Sequence, residues 1–321
     1  MKKKSKISLI ITVKNEQSSI IELLESIVAQ TRRPNEVVIV DGESTDNTFN
    51  LSNNFIEQHQ SDISWKLLRK ESNISTGRNL AISKAQHDLI AITDAGCVLE
   101  QDWLEQLELC YLKHPEGTVV AGFYKGLPRT AFEEAVVPYV LVMPDQVDAE
   151  TFLPATRSML LPKKMWEVIG GFDENLTVSE DFAFAHQIVK KYGQQAIVFC
   201  EQAVVGWRPR SSFKQFFTML FKMAEGDVRA EIYRGKVKLL FGRYIGGLFI
   251  LVATIKASSL QGLLFLIVGF LTYLAWSIRK NKRYAPSSWH YLPLLQIVAD
   301  ISVMSGSLSG LWYCQTTLSR K

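Results

Sequence analysis

Residues 36–46, Glu36-Val37-Val38-Ile39-Val40-Asp41-Gly42-Glu43-Ser44-Thr45-Asp46, pass from an unbroken apolar, β-branched run into an acidic turn. The run is too short for a helix and reads as a strand, buried on both faces, that stops in turn chemistry. The same grammar recurs around it. Ile7 to Val13 closes in Lys14-Asn15-Glu16, and further strands are expected at Trp65 to Leu68, Asp88 to Thr93 and Thr118 to Ala121. Between the first two, Ile20, Ile21, Leu23, Leu24, Ile27 and Val28 recur at helical spacing behind the N-cap formers Ser18 and Ser19. Helices are expected at Asp46 to Gln58, with Asp46 as cap, at Gly77 to Ala85 and at Asp102 to Leu112. This alternation implies an α/β fold with a mostly parallel sheet flanked by helices. Such sheets take ligands at the carboxyl ends of their strands. Asp41 and Asp94 both stand at expected strand ends.

At 321 residues and 47% hydrophobic content the chain exceeds one minimal domain. Its net charge of +4 is small, and the basic residues gather mainly in Lys2 to Lys6 and Arg279 to Arg283, which excludes a nucleic-acid-binding stripe. Cys97, Cys110, Cys200 and Cys314 form no CxxC pair, which argues against a disulfide framework or structural zinc and suits a reducing cytosol. The five histidines show no ligand spacing. GxSxG, P-loop and GxGxxG patterns are missing, so hydrolase, kinase and dinucleotide readings lose their usual support. The basic start imitates a signal peptide, but its apolar run is too short and lacks a cleavage site.

From Phe123 to Pro154 the pattern is irregular, broken by Pro128, Pro138, Pro144 and Pro154, and is expected as a loop over the sheet edge that carries substrate contacts. Regularity returns with Arg157 to Leu161, a helix from Pro162, the turn Gly170-Gly171-Phe172-Asp173 and a helix at Ser179 to Lys191. These residues complete an expected catalytic domain, 1–235. Residues 236–321 form a hydrophobic membrane domain of two or three spans. Leu260 to Ile278 is almost wholly apolar and reaches about 28 Å as a helix, close to a hydrocarbon core. Ile245 to Ile255 is shorter and pairs with it through Lys256 to Ser259 as a hairpin. Tyr291 to Tyr313 carries Asp300, and either spans with Asp300 facing other helices or lies in the interface. The basic run at 279–283 falls in the cytoplasm by the positive-inside rule, which puts the N-terminal domain there too; Arg320 and Lys321 oppose this weakly.

Four constellations carry chemistry, and each also has a plain structural reading. Asp41-Gly42 can accept hydrogen bonds from a base or ribose, or is simply a turn. Thr93-Asp94-Ala95-Gly96 suits a cation on a diphosphate, or again a turn. Glu180-Asp181 begins a helix, where acids are favourable dipole partners and where one of them can also act as a general base. Trp207-Arg208-Pro209-Arg210 can clamp phosphate oxygens or anchor a solvated loop.

In order and spacing these elements resemble the family 2 glycosyltransferases, whose fold is called GT-A, over roughly Ser8 to Ala230. Ile10-Ile11-Thr12-Val13-Lys14-Asn15-Glu16 looks like the family's opening strand and nucleotide-contacting turn, which implies donor contacts from Thr12 and Glu16. Val40 to Asp46 is similar to its DGSxD element, implying that Asp41 binds the nucleobase. Ser75-Thr76-Gly77-Arg78-Asn79 resembles the segment whose arginine, here Arg78, approaches base and diphosphate. Asp94-Ala95-Gly96 aligns with DxD, with Gly96 in place of the second acid. Gly170-Gly171-Phe172-Asp173-Glu174 followed by Glu180-Asp181 resembles GGFxE and the ED pair, which implies Asp181 as catalytic base with Glu180 beside it. Where many members carry a His or QxxRW, this chain has Trp207-Arg208-Pro209-Arg210, so a single transfer is expected rather than processive synthesis. Arg208 and Arg210 would add positive charge for the donor. The resemblance implies an inverting transferase using a UDP- or GDP-linked sugar, a hydroxyl acceptor on a lipid or glycan, and Mg²⁺ or Mn²⁺ at Asp94. The alternatives are a non-catalytic membrane protein that binds nucleotide-sugars and a nucleotidyltransferase.

Overall fold

The computed structural model describes residues 5–59 and 63–318, so Lys2 to Lys4 and the terminal Arg320 and Lys321 lie outside the described residues. Eight strands form one mixed sheet in the order β3-β2-β1-β4-β7-β6-β8-β5. They are β1 (Ile7–Val13), β2 (Glu36–Asp41), β3 (Ser64–Arg69), β4 (Leu89–Ile92), β5 (Cys97–Leu99), β6 (Val119–Gly126), β7 (Met159–Pro162) and β8 (Ile197–Trp207). β2 is buried throughout, as its unbroken apolar run requires. The ladders β3-β2, β2-β1 and β1-β4 are parallel, as is β6-β8. β7 runs antiparallel to both β4 and β6, and β5 runs antiparallel to β8. The reversal of β7 sets Met159 opposite both Ile92 and Ala121, so the residues entering β7 lie beside the carboxyl end of β4 and the middle of β6.

The helices between the first strands are α1 (Ile20–Val28), α2 (Thr48–Gln58), α3 (Ile74–Lys84) and α4 (Trp103–Leu112). Two begin elsewhere than the sequence suggests. α2 starts at Thr48 with Asn47 at the cap position, because the Asp46 carboxylate is spent on the Thr48 N–H and hydroxyl and on the Gln17 N–H. α3 starts at Ile74 because the Asn73 side chain caps it through the Thr76 N–H. The segment expected as a loop holds the end of β6 and a helix, α5 (Ala131–Val140). Thr130 caps α5, and Pro138 sits in its last turn, where it removes one hydrogen bond, that to the carbonyl of Glu134. α6 (Lys163–Ile169) and α7 (Glu180–Tyr192) complete this part.

Packing divides the chain into two compact units, Met1–Leu127 with Met143–Arg208, and Pro128–Val142 with Pro209–Lys321; the expected boundary at 235 falls inside the second. The second unit comprises α5, α8 (Phe213–Arg229), α9 (Gly235–Lys256), α10 (Leu260–Asn281) and α11 (Leu292–Leu318). Its core gathers Ala135, Val136, Phe216, Leu220, Leu292 and Leu295. α8 and α11 approach at Gly306 and Gly310, where an added Cβ would lie 2.2 Å from the Phe221 carbonyl oxygen and 2.8 Å from Val228 Cβ. Such small-residue spacing brings helix backbones together.

Gly235–Lys256, Leu260–Asn281 and Trp289–Thr316 are each long and apolar enough to cross a membrane, with mean hydropathies of 1.6, 1.8 and 1.4. α9 is longer than its apolar run because it starts ten residues earlier (245 minus 235), with the basic residues Lys236, Lys238 and Arg243 in its first turns. Asp300, buried on α11, accepts hydrogen bonds from Tyr244 (2.8 Å) and Arg243 (3.2 Å) on α9, from the Tyr273 hydroxyl on α10 and from Gln296 (2.9 Å) on its own helix. It therefore faces other helices. Gly306→Leu should clash with α8 backbone and cost about 1–3 kcal/mol of stability, whereas Gly269→Leu, with nothing near its added side chain, serves as a control. Thermal unfolding of the two variants in detergent checks the difference.

Candidate active site

The carboxyl edge of the sheet is built from turns that hold one another. Asn15 and Glu43, which follow β1 and β2, are left-handed at φ 57° and 59°. The Asn15 N–H donates to Ser44 Oγ (2.9 Å), Asn15 Oδ1 accepts from the Thr45 N–H (2.8 Å), and the Glu16 N–H donates to Thr48 Oγ1 (2.7 Å). Both conformations cost energy and persist because these bonds fix them. The lacing holds Asp41 at the end of β2, fully buried. Its Oδ1 accepts from the Ser44 N–H at 2.6 Å, while its Oδ2 is buried with no hydrogen-bond partner among the described residues. A carboxylate oxygen desolvated without a donor is costly, and it marks a place for a ligand N–H or O–H. Thr12, near the end of β1, packs its methyl group 3.0 Å from where a Cβ on Gly77 would stand, so only glycine lets α3 approach β1 there.

α3 carries Arg78 into the interior. Its guanidinium is 1% exposed and donates to Asp94 Oδ1 (2.6 Å) after β4 and to Glu180 Oε1 at the start of α7, while its plane lies over the Phe172 ring. The two carboxylates hold the guanidinium charged, well above its ordinary range, against the cost of burial. Asp94 Oδ2 accepts from Thr156 Oγ1 at 3.3 Å. Gly96 is left-handed at φ 81°, and the Glu16 carboxylate borders it, 3.7 Å from the position of an added Cβ.

The Gly170 to Asp173 turn is clamped by the same helix. Asn79 accepts from the Phe172 N–H (2.9 Å) and Trp166 Nε1 (3.0 Å) and donates to the Phe172 carbonyl (2.8 Å) and the Glu174 carboxylate (3.0 Å). Ser75 donates to the Leu176 carbonyl at 2.6 Å. The chain then enters α7 through Ser179, itself left-handed at φ 62°, and the two acids diverge. Glu180 is buried on Arg78, whereas Asp181 stays partly open. Asp181 has its carboxyl raised to about 6, by loss of solvent first and by the charge of Glu180 next, against the pull of Arg78.

Arg208, just beyond β8, is paired with Glu22 of α1. Arg210 is exposed and belongs to the second unit. The structure thus gathers Arg78, Asp94, Glu180 and Asp181, with Glu16 at the border of the Asp94 turn. Thr156 and Asn79, which hold the acids in place, carry no role in the sequence reading. A polar Thr156-Arg157-Ser158 entering an apolar strand was the available signal.

Among the described residues no three His, Cys, Asp or Glu side chains group to hold a metal. Asp94 alone remains, with both oxygens already bonded. That donor set fits a hydrated cation brought in on substrate phosphates, as Mg²⁺ commonly binds, but not a cation caged by protein.

Residues 8–149 match the family model described as glycosyl transferase family 2. Over these residues the chain is similar to the family 2 glycosyltransferases. It resembles the O-antigen chain rhamnosyltransferase RfbN of Salmonella typhimurium, 24% identical over 231 residues that cover 66% of this chain and 70% of that one. Glycosyltransferase GlyG of Streptococcus pneumoniae is 26% identical over 120 residues, 37% of this chain and 39% of GlyG. The chain therefore spans about two fifths of that relative's length. In fold it matches the mannosyltransferase PcManGT of Pyrobaculum calidifontis, solved with GDP-Man and Mn²⁺, with a TM-score of 0.69 and 19% identity over 97% of this chain and 88% of that one. The sheet and its flanking helices are of the GT-A type.

Asn79→Ala should cost about 2 kcal/mol, given its four hydrogen bonds and their modest net worth each. Chemical denaturation against the unaltered protein measures it.

Proposed function

We propose that this protein transfers a sugar from a UDP- or GDP-linked donor to a hydroxyl of a lipid or lipid-linked glycan, with inversion, once per encounter. The observation that carries the reading is the divergence of the two acids that open α7. Glu180 is neutralised by Arg78, while Asp181 remains partly open with a carboxyl that titrates near 6, the condition of a base working at neutral pH. Asp181 takes the proton of the acceptor hydroxyl as that oxygen attacks the anomeric carbon, and the nucleoside diphosphate leaves on the opposite face. Asp41 accepts from the nucleobase through its free Oδ2. Thr12 and Glu16 line the donor's side of the crevice. Arg78 keeps Asp94 and Glu180 fixed beneath the diphosphate, and Arg208 supplies further positive charge by exchanging Glu22 for phosphate.

Asp94 is the residue that would hold Mg²⁺ or Mn²⁺, and such an ion supplies neutralisation of the diphosphate charge. The names of the relatives support hexosyl transfer in envelope glycan synthesis, since one is an O-antigen rhamnosyltransferase and the structural neighbour holds GDP-Man and Mn²⁺. The three long apolar helices support a multi-pass protein of the cell membrane with a lipid-borne acceptor. The basic residues at 279–283 favour a cytoplasmic catalytic domain, residues 1–235.

Asp181→Asn should keep donor binding and lower turnover by about two to four orders of magnitude. Because the base works deprotonated, kcat/KM of the unaltered enzyme should fall as pH drops below about 6, an acid limb governed by the Asp181 carboxyl. Near-normal turnover in the variant, or a profile flat to pH 5, would remove Asp181 from the role. Mn²⁺ followed by electron paramagnetic resonance should bind only when UDP or GDP is present, and tight binding to the nucleotide-free protein would contradict the single-carboxylate site.

A further inference from the structure

Each arginine assigned so far in the first unit is committed to an acid: Arg78 to Asp94 and Glu180, and Arg208 to Glu22. Arg157 is different. Its guanidinium lies over the Trp207 ring at 4.9 Å and over the Tyr124 ring at 5.5 Å. Among the described residues it makes no ion pair, and its backbone carbonyl alone is hydrogen-bonded, by Thr93 Oγ1 at 2.9 Å. Aromatic contacts engage the face of a guanidinium and leave its in-plane N–H groups free, which is the geometry that binds phosphate oxygens in pairs.

Its place in the sheet points the same way. Arg157 enters β7, whose reversed course sets it beside the carboxyl end of β4 and the middle of β6. The neighbouring Thr156 bonds Asp94, and Tyr124 and Trp207 come from the carboxyl halves of β6 and β8. A half-buried cation with free donors therefore stands at the strand ends next to the Asp94 turn, where Gly96 contributes no side chain. The surrounding charge makes a cation necessary. Three carboxylates, Asp94, Glu180 and Asp181, meet one guanidinium, so an incoming diphosphate finds net repulsion unless further positive charge meets it.

We infer that Arg157, clamped between Tyr124 and Trp207, binds the diphosphate of the nucleotide donor and stabilises it as the leaving group. This rests on the donor reading given above. Trp207 thereby gains a role as the surface that orients Arg157, apart from the arginines that follow it.

The test is calorimetric binding of UDP and GDP, and of uridine and guanosine, to the full-length protein in detergent with Mn²⁺ present, for the unaltered chain, Arg157→Met and Arg157→Lys. Arg157→Met should weaken the preferred diphosphate about ten- to a hundredfold, the worth of a charge-assisted pair, and leave the matching nucleoside unchanged. Arg157→Lys, which keeps the charge and the fold but not the planar fork, should fall between. Equal diphosphate affinity in the unaltered and Met proteins overturns the inference and leaves the donor reading standing. Equal loss of nucleoside and diphosphate in both variants also overturns it, because the effect is then on the pocket as a whole. If neither diphosphate binds the unaltered protein, the donor reading itself falls.

Discussion

The site depends on the placement of one guanidinium out of water. Arg78 is held by Asp94 and Glu180, and these three residues come from α3, the turn after β4 and the start of α7, so one buried charge fixes the relative positions of three segments. A guanidinium buried alone costs several kcal/mol, and removing one partner from such a pair leaves an uncompensated charge worth about 3–5 kcal/mol. The arrangement is therefore intolerant of partial loss. It specifies geometry more than it adds stability, since a buried ion pair of this kind contributes little net energy over a well-packed apolar substitute.

That constraint sorts the acids of the site by availability. Asp94 and Glu180 are consumed by Arg78, and Asp94 is bonded on both oxygens. Asp41 is buried with one free oxygen, a hydrogen-bond acceptor waiting for a donor. Asp181 loses solvent and is left with the repulsion of Glu180 and only part of the attraction of Arg78, which raises its affinity for a proton into the range useful at neutral pH. Three of these carboxylates thus take separate positions because a single cation is shared unequally among them, while Asp41 is held by its own turn.

The strands β1 to β4 were legible because each is a largely apolar run closed by turn residues, and the helices between them imply that they run parallel. β8 was not, since Glu201 and Gln202 interrupt it at the shift of register opposite Gly122 and Phe123, and the alternation that announces a strand fails there. β5 has three residues, too few for any period. α5 hid behind Pro138, a helix breaker that this helix carries in its last turn at the loss of one hydrogen bond. In the site, the positions of the acids at strand and helix ends could be read, but their partners could not. Arg78 and Glu180 are 102 residues apart, and Arg157 meets its two rings through three strands that sequence order does not place together.

The second unit solves its own version of the problem with the charges exchanged. Asp300 is the buried ion, and its donors are Arg243 and Tyr244 of α9, Tyr273 of α10 and Gln296 one turn earlier on α11. Arg243, Tyr273 and Asp300 each lie about two helical turns from the same end of the three helices. Small residues bring helix backbones together, as at Gly306 and Gly310, but a uniformly apolar face does not set one register over another. A buried carboxylate does, because sliding or rotating any one helix strips it of a donor. α9 and α10 expose long apolar surfaces, while a single polar cluster ties them to α11.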